Sequence, residues 1–130
     1  MPEKYAISSD AEAGREWLVD AAGCNRRRLA DLELLQRLLE SIIADLGLHP
    51  LGAGVWHRFP DPGGVTGIYL LSESHLTCHT WPEWGTASFN LFSCRPRPDW
   101  PWEEQLRELL QAKRIEVRTI ERNRRTEAER

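Results

Sequence analysis

The sequence predicts an α+β fold, a two-layer sandwich in which a mainly antiparallel β-sheet carries its helices on one face. Two patterns lead to this prediction. Apolar residues recur at helical spacing in a long segment, residues 27–46, and in a shorter one, residues 102–112. The segments between them are mostly apolar or alternating and follow one another with short turns. A run of strands with one helix before it and one after it is typical of such a sandwich.

The first part of the chain predicts a leader, a strand and a helix. Residues 1–14 are small and polar and predict a flexible leader. Residues 16–21 have strand character and end at a turn around Gly23. The helix over residues 27–46 rests on apolar side chains three and four positions apart, with Gly47 as its C-terminal stop.

The middle of the chain predicts four strands. The first of them, residues 51–59, is weakened at its start by Gly52 and Gly54. A turn follows at residues 60–64, where two prolines fix φ and two glycines accept positive φ. Apolar, β-branched and alternating residues then predict strands over residues 65–71, 74–80 and 86–94.

The last part of the chain predicts a helix and a strand. A rigid, proline-rich connector over residues 95–101 leads into the helix over residues 102–112. Alternation predicts a final strand around residues 115–119. We therefore expect a single domain over residues 15–121, followed by a charged tail over residues 122–130.

Bulk composition indicates one soluble cytoplasmic domain. The 130 residues are 41% hydrophobic and 28% charged, which suits one modest core. A formal charge of −3 gives no electrostatic reason to expect nucleic acid, so the arginine clusters at residues 26–28 and 122–125 are interpreted as solvated faces. No apolar run reaches the roughly 20 residues of a membrane span, and the first residues lack the order of a signal peptide. The three cysteines have no paired spacing and predict free thiols in a reducing compartment; they are Cys24, Cys78 and Cys94.

The chain is also predicted to form a homodimer. Helices cover only one face of the expected sheet, and the other face needs cover too. Six tryptophans in so short a chain make a partner subunit a better cover than solvent.

Reactive groups are concentrated in residues 71–83, a segment that otherwise has strand character. It contains hydroxyls, two imidazoles, a thiol and two carboxylates. Imidazole and thiolate suit zinc, so His75, Cys78 and His79 could be metal ligands. That set lacks a second paired ligand segment, and no metal is predicted. So dense a set of reactive groups indicates other chemistry.

The spacing of these groups resembles that of a known enzyme family. Glu73-Ser74-His75, a second histidine five residues after the serine and a cysteine twenty residues after it together resemble the short bacterial S-adenosylmethionine decarboxylase proenzymes. In that family the serine hydroxyl attacks the preceding carbonyl, the amide becomes an ester, and elimination leaves a pyruvoyl group at a new N-terminus. The resemblance covers about residues 16–121. It implies cleavage between Glu73 and Ser74, and a covalent pyruvoyl cofactor derived from Ser74.

The resemblance also implies roles for other residues. His79 matches the processing histidine, Cys94 matches the thiol that reprotonates the substrate carbon, and Thr66 stands where a serine usually supports processing. The implied substrate-binding residues are Phe59 against adenine, Leu76 and Trp81 lining the site, and Glu83 on the ribose hydroxyls.

Three details depart from a simple transfer of the family pattern. Residues 60–63 carry one extra residue, and Asn90 stands where aspartate is common; both bear on the substrate. Strand parity puts Ser74 and His79 on opposite faces, so their contact requires a bend or break at the cleavage site.

A pyruvoyl group also fits the demands of decarboxylation. Loss of CO2 from an amino acid needs an electron sink, which no ordinary side chain provides. Pyridoxal phosphate would need a lysine, and the chain offers only Lys4 in the leader and Lys113 near a helix end. A group made from an internal serine needs neither a lysine nor a bound cofactor.

The predicted function is decarboxylation of S-adenosylmethionine, a small-molecule substrate, for spermidine synthesis. Two alternatives stay open. The same chemistry could act on ornithine or arginine, or the chain could be a non-catalytic homologue that activates a partner. The presence of Ser74, His79 and Cys94 argues against the last alternative, because an inactive subunit has no physical need for all three.

Overall fold

A computed structural model describes residues 14–129, which contain six strands, three α-helices and one 3₁₀ turn. The predicted leader lies outside the described residues except for Gly14, which begins the first strand. The elements, in chain order, are β1 (Gly14–Ala22), α1 (Arg26–Leu29), α2 (Leu32–Asp45), β2 (Val55–Arg58), β3 (Val65–Leu71), β4 (Ser74–Trp81), β5 (Thr86–Ser93), α3 (Trp102–Leu109), β6 (Arg114–Arg122) and the 3₁₀ turn (Glu127–Glu129).

The six strands form one antiparallel sheet in the order β2-β3-β4-β5-β1-β6. Short turns join β3 to β4 and β4 to β5, so these strands lie next to one another in the order of the chain. β1 lies between β5 and β6 and pairs with β6 from Gly14 opposite Arg122 to Ala22 opposite Arg114. The reactive segment on β4 therefore lies in the interior of the sheet. The predicted α+β sandwich with an antiparallel sheet is confirmed.

Helices α2 and α3 pack on one face of this sheet and form the core with it. Leu39 and Ile42 of α2 and Leu106 of α3 have no exposed surface, and Trp17 of β1 is almost fully buried beneath them. Complete burial of such side chains stabilises the fold by about 1.5–3 kcal/mol each. Trp102 of α3 lies against a sheet residue, Phe89, with ring centroids 5.9 Å apart.

The predicted helix over residues 27–46 is two helices. Asn25 caps α1 by accepting a hydrogen bond from the Arg28 N–H, and Asp31 caps α2 by accepting one from the Leu34 N–H. An N-cap side chain begins a new helix and satisfies a backbone donor that would otherwise lack a partner. The expected single helix is therefore interrupted at Ala30 and Asp31.

Three other predicted boundaries were wrong. The strand expected over residues 51–59 begins only at Val55; before it, the Leu51 N–H donates to the Leu70 carbonyl, and Pro50 bridges to the end of β3. Helix α3 ends at Leu109 instead of residue 112. Strand β6 runs on to Arg122, because its pairing with β1 continues to the start of that strand.

The opposite face of the sheet is not covered by any element of residues 14–129. Alternation places His75, Thr77 and His79 of β4 on this face, beside Asn90 of β5. Four apolar side chains on this face are 44–69% exposed; they are Val55, Ile68, Leu70 and Ile120. None of the helices in the described part of the chain is long and apolar enough to cross a membrane.

Candidate active site

The bond between Glu73 and Ser74 lies in the tight turn from β3 to β4. Ser72 and Glu73 form this turn, and Leu71 pairs with Ser74 across it. The Glu73 carbonyl accepts a hydrogen bond of 2.8 Å from the Cys94 N–H. Ser74 has a φ of 152°, a region that favours glycine and costs another residue about 1–3 kcal/mol. The predicted cleavage bond thus combines a polarised carbonyl with a strained backbone.

The hydroxyl of Ser74 begins a chain of hydrogen-bonded side chains on the uncovered face. Ser74 Oγ lies 3.1 Å from His75 Nδ1, and His75 Nε2 lies 3.1 Å from Asn90 Oδ1. Asn90 Nδ2 donates to Glu16 Oε2 at 2.7 Å, and Arg122 donates to Glu16 Oε1 at 2.8 Å. The hydrogen bond from Asn90 lowers the pKa of Glu16 against the effect of burial, and Arg122 lowers it further. Glu16 is therefore a carboxylate at neutral pH.

The side chain of Glu73 is buried and held by two loops. Its carboxylate accepts hydrogen bonds from the His49 backbone N–H at 3.0 Å and from His49 Nδ1 at 2.6 Å. The Arg97 guanidinium lies 3.5 Å from the same carboxylate. Burial acts to raise the pKa of Glu73, but the hydrogen bonds from His49 outweigh it and the pKa lies below its ordinary value. The residue before the cleavage bond is thus fixed through both its carbonyl and its side chain.

A second group of predicted residues lies at the other end of β4. Thr66 Oγ1 and His79 Nδ1 are 2.5 Å apart. The His79 ring meets Phe59 and Trp81 edge-on, with centroids 5.9 and 4.4 Å away. Trp81 stacks on Trp84, at 6.0 Å between centroids. The structure therefore brings four predicted residues together around the His79 imidazole. We call this set, Thr66, His79, Phe59 and Trp81, the aromatic group.

The other two predicted substrate-binding residues are Leu76, which lies apart from that group, and Glu83, which lies at its edge. Leu76 is fully buried on the helix-covered face, so its side chain packs in the core and not beside His79. Alternation along β4 is the reason, since residues 76 and 79 have opposite parity. The role of Leu76 in the site, which the resemblance implies, stays a prediction. Glu83 is exposed in the turn after Trp81, at the edge of the aromatic group.

The two groups do not meet within one chain. Ser74 and His79 are five residues apart on the same strand, which at about 3.3 Å per residue separates them by about 16 Å. Ser74 has a positive φ, and its hydroxyl lies 3.1 Å from the Nδ1 atom of His75. Between the groups the uncovered face forms an open cavity of about 410 Å³, lined among others by Ile68, Thr77 and Asn90.

The three cysteines are free, and they differ in accessibility. Cys24 and Cys78 are buried, and burial raises the pKa of the Cys24 thiol to about 11 and that of the Cys78 thiol to about 12. Cys94 is exposed beside the turn that contains Ser74. In residues 14–129 no three His, Cys, Asp or Glu side chains are grouped as metal ligands would be.

Sequence reasoning missed His49, Arg97 and Glu16 as neighbours of the predicted cleavage site. His49 and Arg97 each lie 24 residues from Glu73, in loops whose local sequence carries no motif. Glu16 is 74 residues from Asn90 and reaches it only because β1 lies beside β5. No local signal could have shown these contacts, which depend on sheet order.

Comparison with known proteins shows the family to which the chain belongs. The family model described as S-adenosylmethionine decarboxylase matches residues 15–123. An S-adenosylmethionine decarboxylase proenzyme of Thermotoga maritima is 38% identical over 113 residues, which cover 85% of each chain. One from Clostridium tetani is 36% identical over 111 residues, 84% of this chain and 86% of the relative.

A solved structure has the same fold. The crystal structure of the adenosylmethionine decarboxylase from Aquifex aeolicus superposes with a TM-score of 0.73 and 28% sequence identity. It covers 89% of this chain and 95% of the other. Together with the family match over almost all of the domain, this shows that the chain belongs to the S-adenosylmethionine decarboxylase family.

Proposed function

We propose that the protein is a self-processing decarboxylase that cuts its own chain between Glu73 and Ser74 and then acts on S-adenosylmethionine. The geometry of the turn carries this proposal. The serine follows a carbonyl that already accepts the Cys94 N–H, and a fixed backbone donor of this kind stabilises the oxyanion of an attacked carbonyl. The strained φ of Ser74 favours a reaction that breaks the peptide bond. Family membership supports the same reaction.

The residues around the turn fit a pyruvoyl group made from Ser74. Ser74 pairs with Ser93, the last residue of β5, and Cys94 with its exposed side chain directly follows Ser93. A pyruvoyl group supplies an electron sink for the carbon that loses CO2. We propose that Cys94 delivers a proton to that carbon, and its position next to the turn supports this role because a general acid must be within reach of the reacting atom.

The aromatic group supports S-adenosylmethionine as the substrate. Phe59 and Trp81 offer ring faces that suit both a purine and a sulfonium ion. Glu83 at the edge of this group is the proposed partner of the ribose hydroxyls. Decarboxylation of ornithine or arginine by the same chemistry is the second candidate, and it would need a carboxylate placed for a distal ammonium or guanidinium. The proposed product would serve spermidine synthesis.

A homodimer would unite the two groups on β4. In an isologous contact each copy offers the same face, so the Ser74 end of one strand can meet the His79 end of the other. The uncovered face that would form the contact carries the exposed Ile68 and Leu70. We infer that each active site combines Ser74 and Cys94 of one cleaved protomer with His79 and its Thr66 partner from the second. The free thiols are consistent with a cytoplasmic location.

The substrate proposal is tested by CO2 release from carboxyl-labelled S-adenosylmethionine, ornithine and arginine. We expect release from S-adenosylmethionine and none above the Ser74→Ala control from the other two. Faster release from ornithine or arginine would overturn the substrate assignment. A wild-type chain that is cut but releases CO2 from none of them would favour the non-catalytic homologue.

A further inference from the structure

The hydrogen-bonded chain at Ser74 contains a histidine that the resemblance gave no role. His75 directly follows the serine, and neighbouring residues on a regular strand point to opposite faces. The positive φ of Ser74 removes that separation, because it lets the hydroxyl reach His75 Nδ1 at 3.1 Å on the uncovered face. The strain at this residue therefore has a chemical consequence within a single chain.

The tautomer of His75 follows from its partners. A carboxylate only accepts hydrogen bonds, so Glu16 fixes the amide of Asn90 with Nδ2 toward Glu16 and Oδ1 toward His75. An amide oxygen also only accepts, so the Nε2 atom of His75 must carry the proton and donate it. In a neutral imidazole the other nitrogen, Nδ1, is then an acceptor, and it faces the Ser74 hydroxyl.

We propose that His75 is the general base for self-cleavage, and that Asn90 and Glu16 are positioning residues that hold its tautomer. His75 Nδ1 takes the Ser74 hydroxyl proton as Oγ bonds to the Glu73 carbonyl carbon, and the oxyanion accepts the Cys94 N–H. The C–N bond then breaks and the Ser74 nitrogen takes the proton back from His75. The products are an ester and a free amine, so no atom is gained or lost.

This inference rests on the proposed function and adds the base for its first step. His79 cannot serve Ser74 of its own chain across about 16 Å, because proton transfer needs heavy atoms about 2.6–3.2 Å apart. Within one chain, His75 Nδ1 lies 3.1 Å from Ser74 Oγ, which is inside that range. The charged groups joined to its hydrogen-bonded chain are Glu16 from β1 and Arg122 from β6.

The test follows the cut fraction of freshly made protein over time for wild type, His75→Gln, His75→Asn and Asn90→Leu. Loss of a general base lowers a rate by about 10²- to 10⁴-fold, and we expect at least a 100-fold slower cut for both His75 variants. Asn90→Leu keeps His75 but removes the acceptor that holds the proton on its Nε2 atom, so we expect about a tenfold slower cut. Ser88→Ala is the matched control, because Ser88 lies on the same strand as Asn90 but bonds to Asp20. It should cut at the wild-type rate.

Hydroxylamine identifies the step that is slowed. It cleaves an ester between Glu73 and Ser74 but leaves the original amide intact. Uncut His75 variants that are folded, with unchanged thermal unfolding, should resist hydroxylamine. Accumulated ester would mean that His75 acts in the later elimination, and a wild-type cutting rate in both His75 variants would mean that it is not the base; either result overturns the inference. A wild-type chain that stays uncut would instead overturn the proposed function.

Discussion

Mixing two inactive variants tests whether the active site is shared between chains. Ser74→Ala lacks the proposed nucleophile, and His79→Ala lacks the proposed processing histidine. The two positions lie about 16 Å apart on β4, so no single chain brings them within the roughly 3 Å needed for proton transfer. Each variant alone should therefore stay uncut. If the site joins Ser74 of one copy to His79 of the other, a mixed dimer has one complete site.

The expected yield follows from random pairing. With equal amounts of the two chains, about half of the His79→Ala chains find a Ser74→Ala partner, which supplies an intact His79. About half of the His79→Ala chains should therefore be cut, as read by intact mass spectrometry of co-expressed, differently tagged chains. All other chains should stay whole.

A second mixture provides the control. Cys94 and Ser74 belong to the same group of one chain, because the Cys94 N–H bonds to the Glu73 carbonyl. Mixing Ser74→Ala with Cys94→Ala should therefore restore no decarboxylation. No cutting in the first mixture would refute the shared site, as would full cutting of the His79→Ala chain on its own.

Three further predictions follow from burial and charge. Leu39→Ala should lower the free energy of unfolding by about 2–5 kcal/mol in denaturant titration, because the side chain is fully buried in the core; a loss below 1 kcal/mol would contradict that packing. A thiol reagent at neutral pH should label Cys94 rapidly, and should reach Cys24 and Cys78 only on unfolding, since both are buried with raised pKa values. The folded pKa of Glu73 lies below its ordinary value of 4.5, so its stabilising contribution is complete above that pH and is lost as the pH falls through the lower value. In a cleavage-blocked background, Glu73→Gln should therefore flatten the acid side of the stability profile, and an unchanged profile would refute the role given to its carboxylate.

Periodic elements were predictable because their pattern is local. The strand over residues 65–71 has its predicted bounds, and the apolar spacing of α2 marks the side chains that reach the core. The break before α2 was missed. Its local signal is Asp31, because aspartate is a common N-cap residue and its side chain accepts a hydrogen bond from the N–H of Leu34, three residues later. Apolar periodicity continued across the break and concealed it.

The candidate site was predictable as a set of residues but not as an arrangement. Spacing along the chain named Ser74, His79 and Cys94. Parity predicted that the first two lie on opposite faces, but the Ser74 hydroxyl reaches His75 on the face that also carries His79. Only the register of β4 with β5 shows that Cys94 adjoins Ser74 while His79 does not. The direction of the Leu76 side chain was not predictable either. A family motif does not state which side of a strand is covered by helices, and the Leu76 side chain is buried on the covered side.

The most direct test of self-cleavage is the intact mass of the purified wild-type protein beside Ser74→Ala. Cleavage between Glu73 and Ser74 predicts two wild-type fragments, residues 1–73 and 74–130. The second should be blocked at its N-terminus and lighter than the serine form by the mass of one ammonia, as conversion to a pyruvoyl group requires. The Ser74→Ala protein should remain one chain. A single uncut chain in the wild type would contradict the central claim.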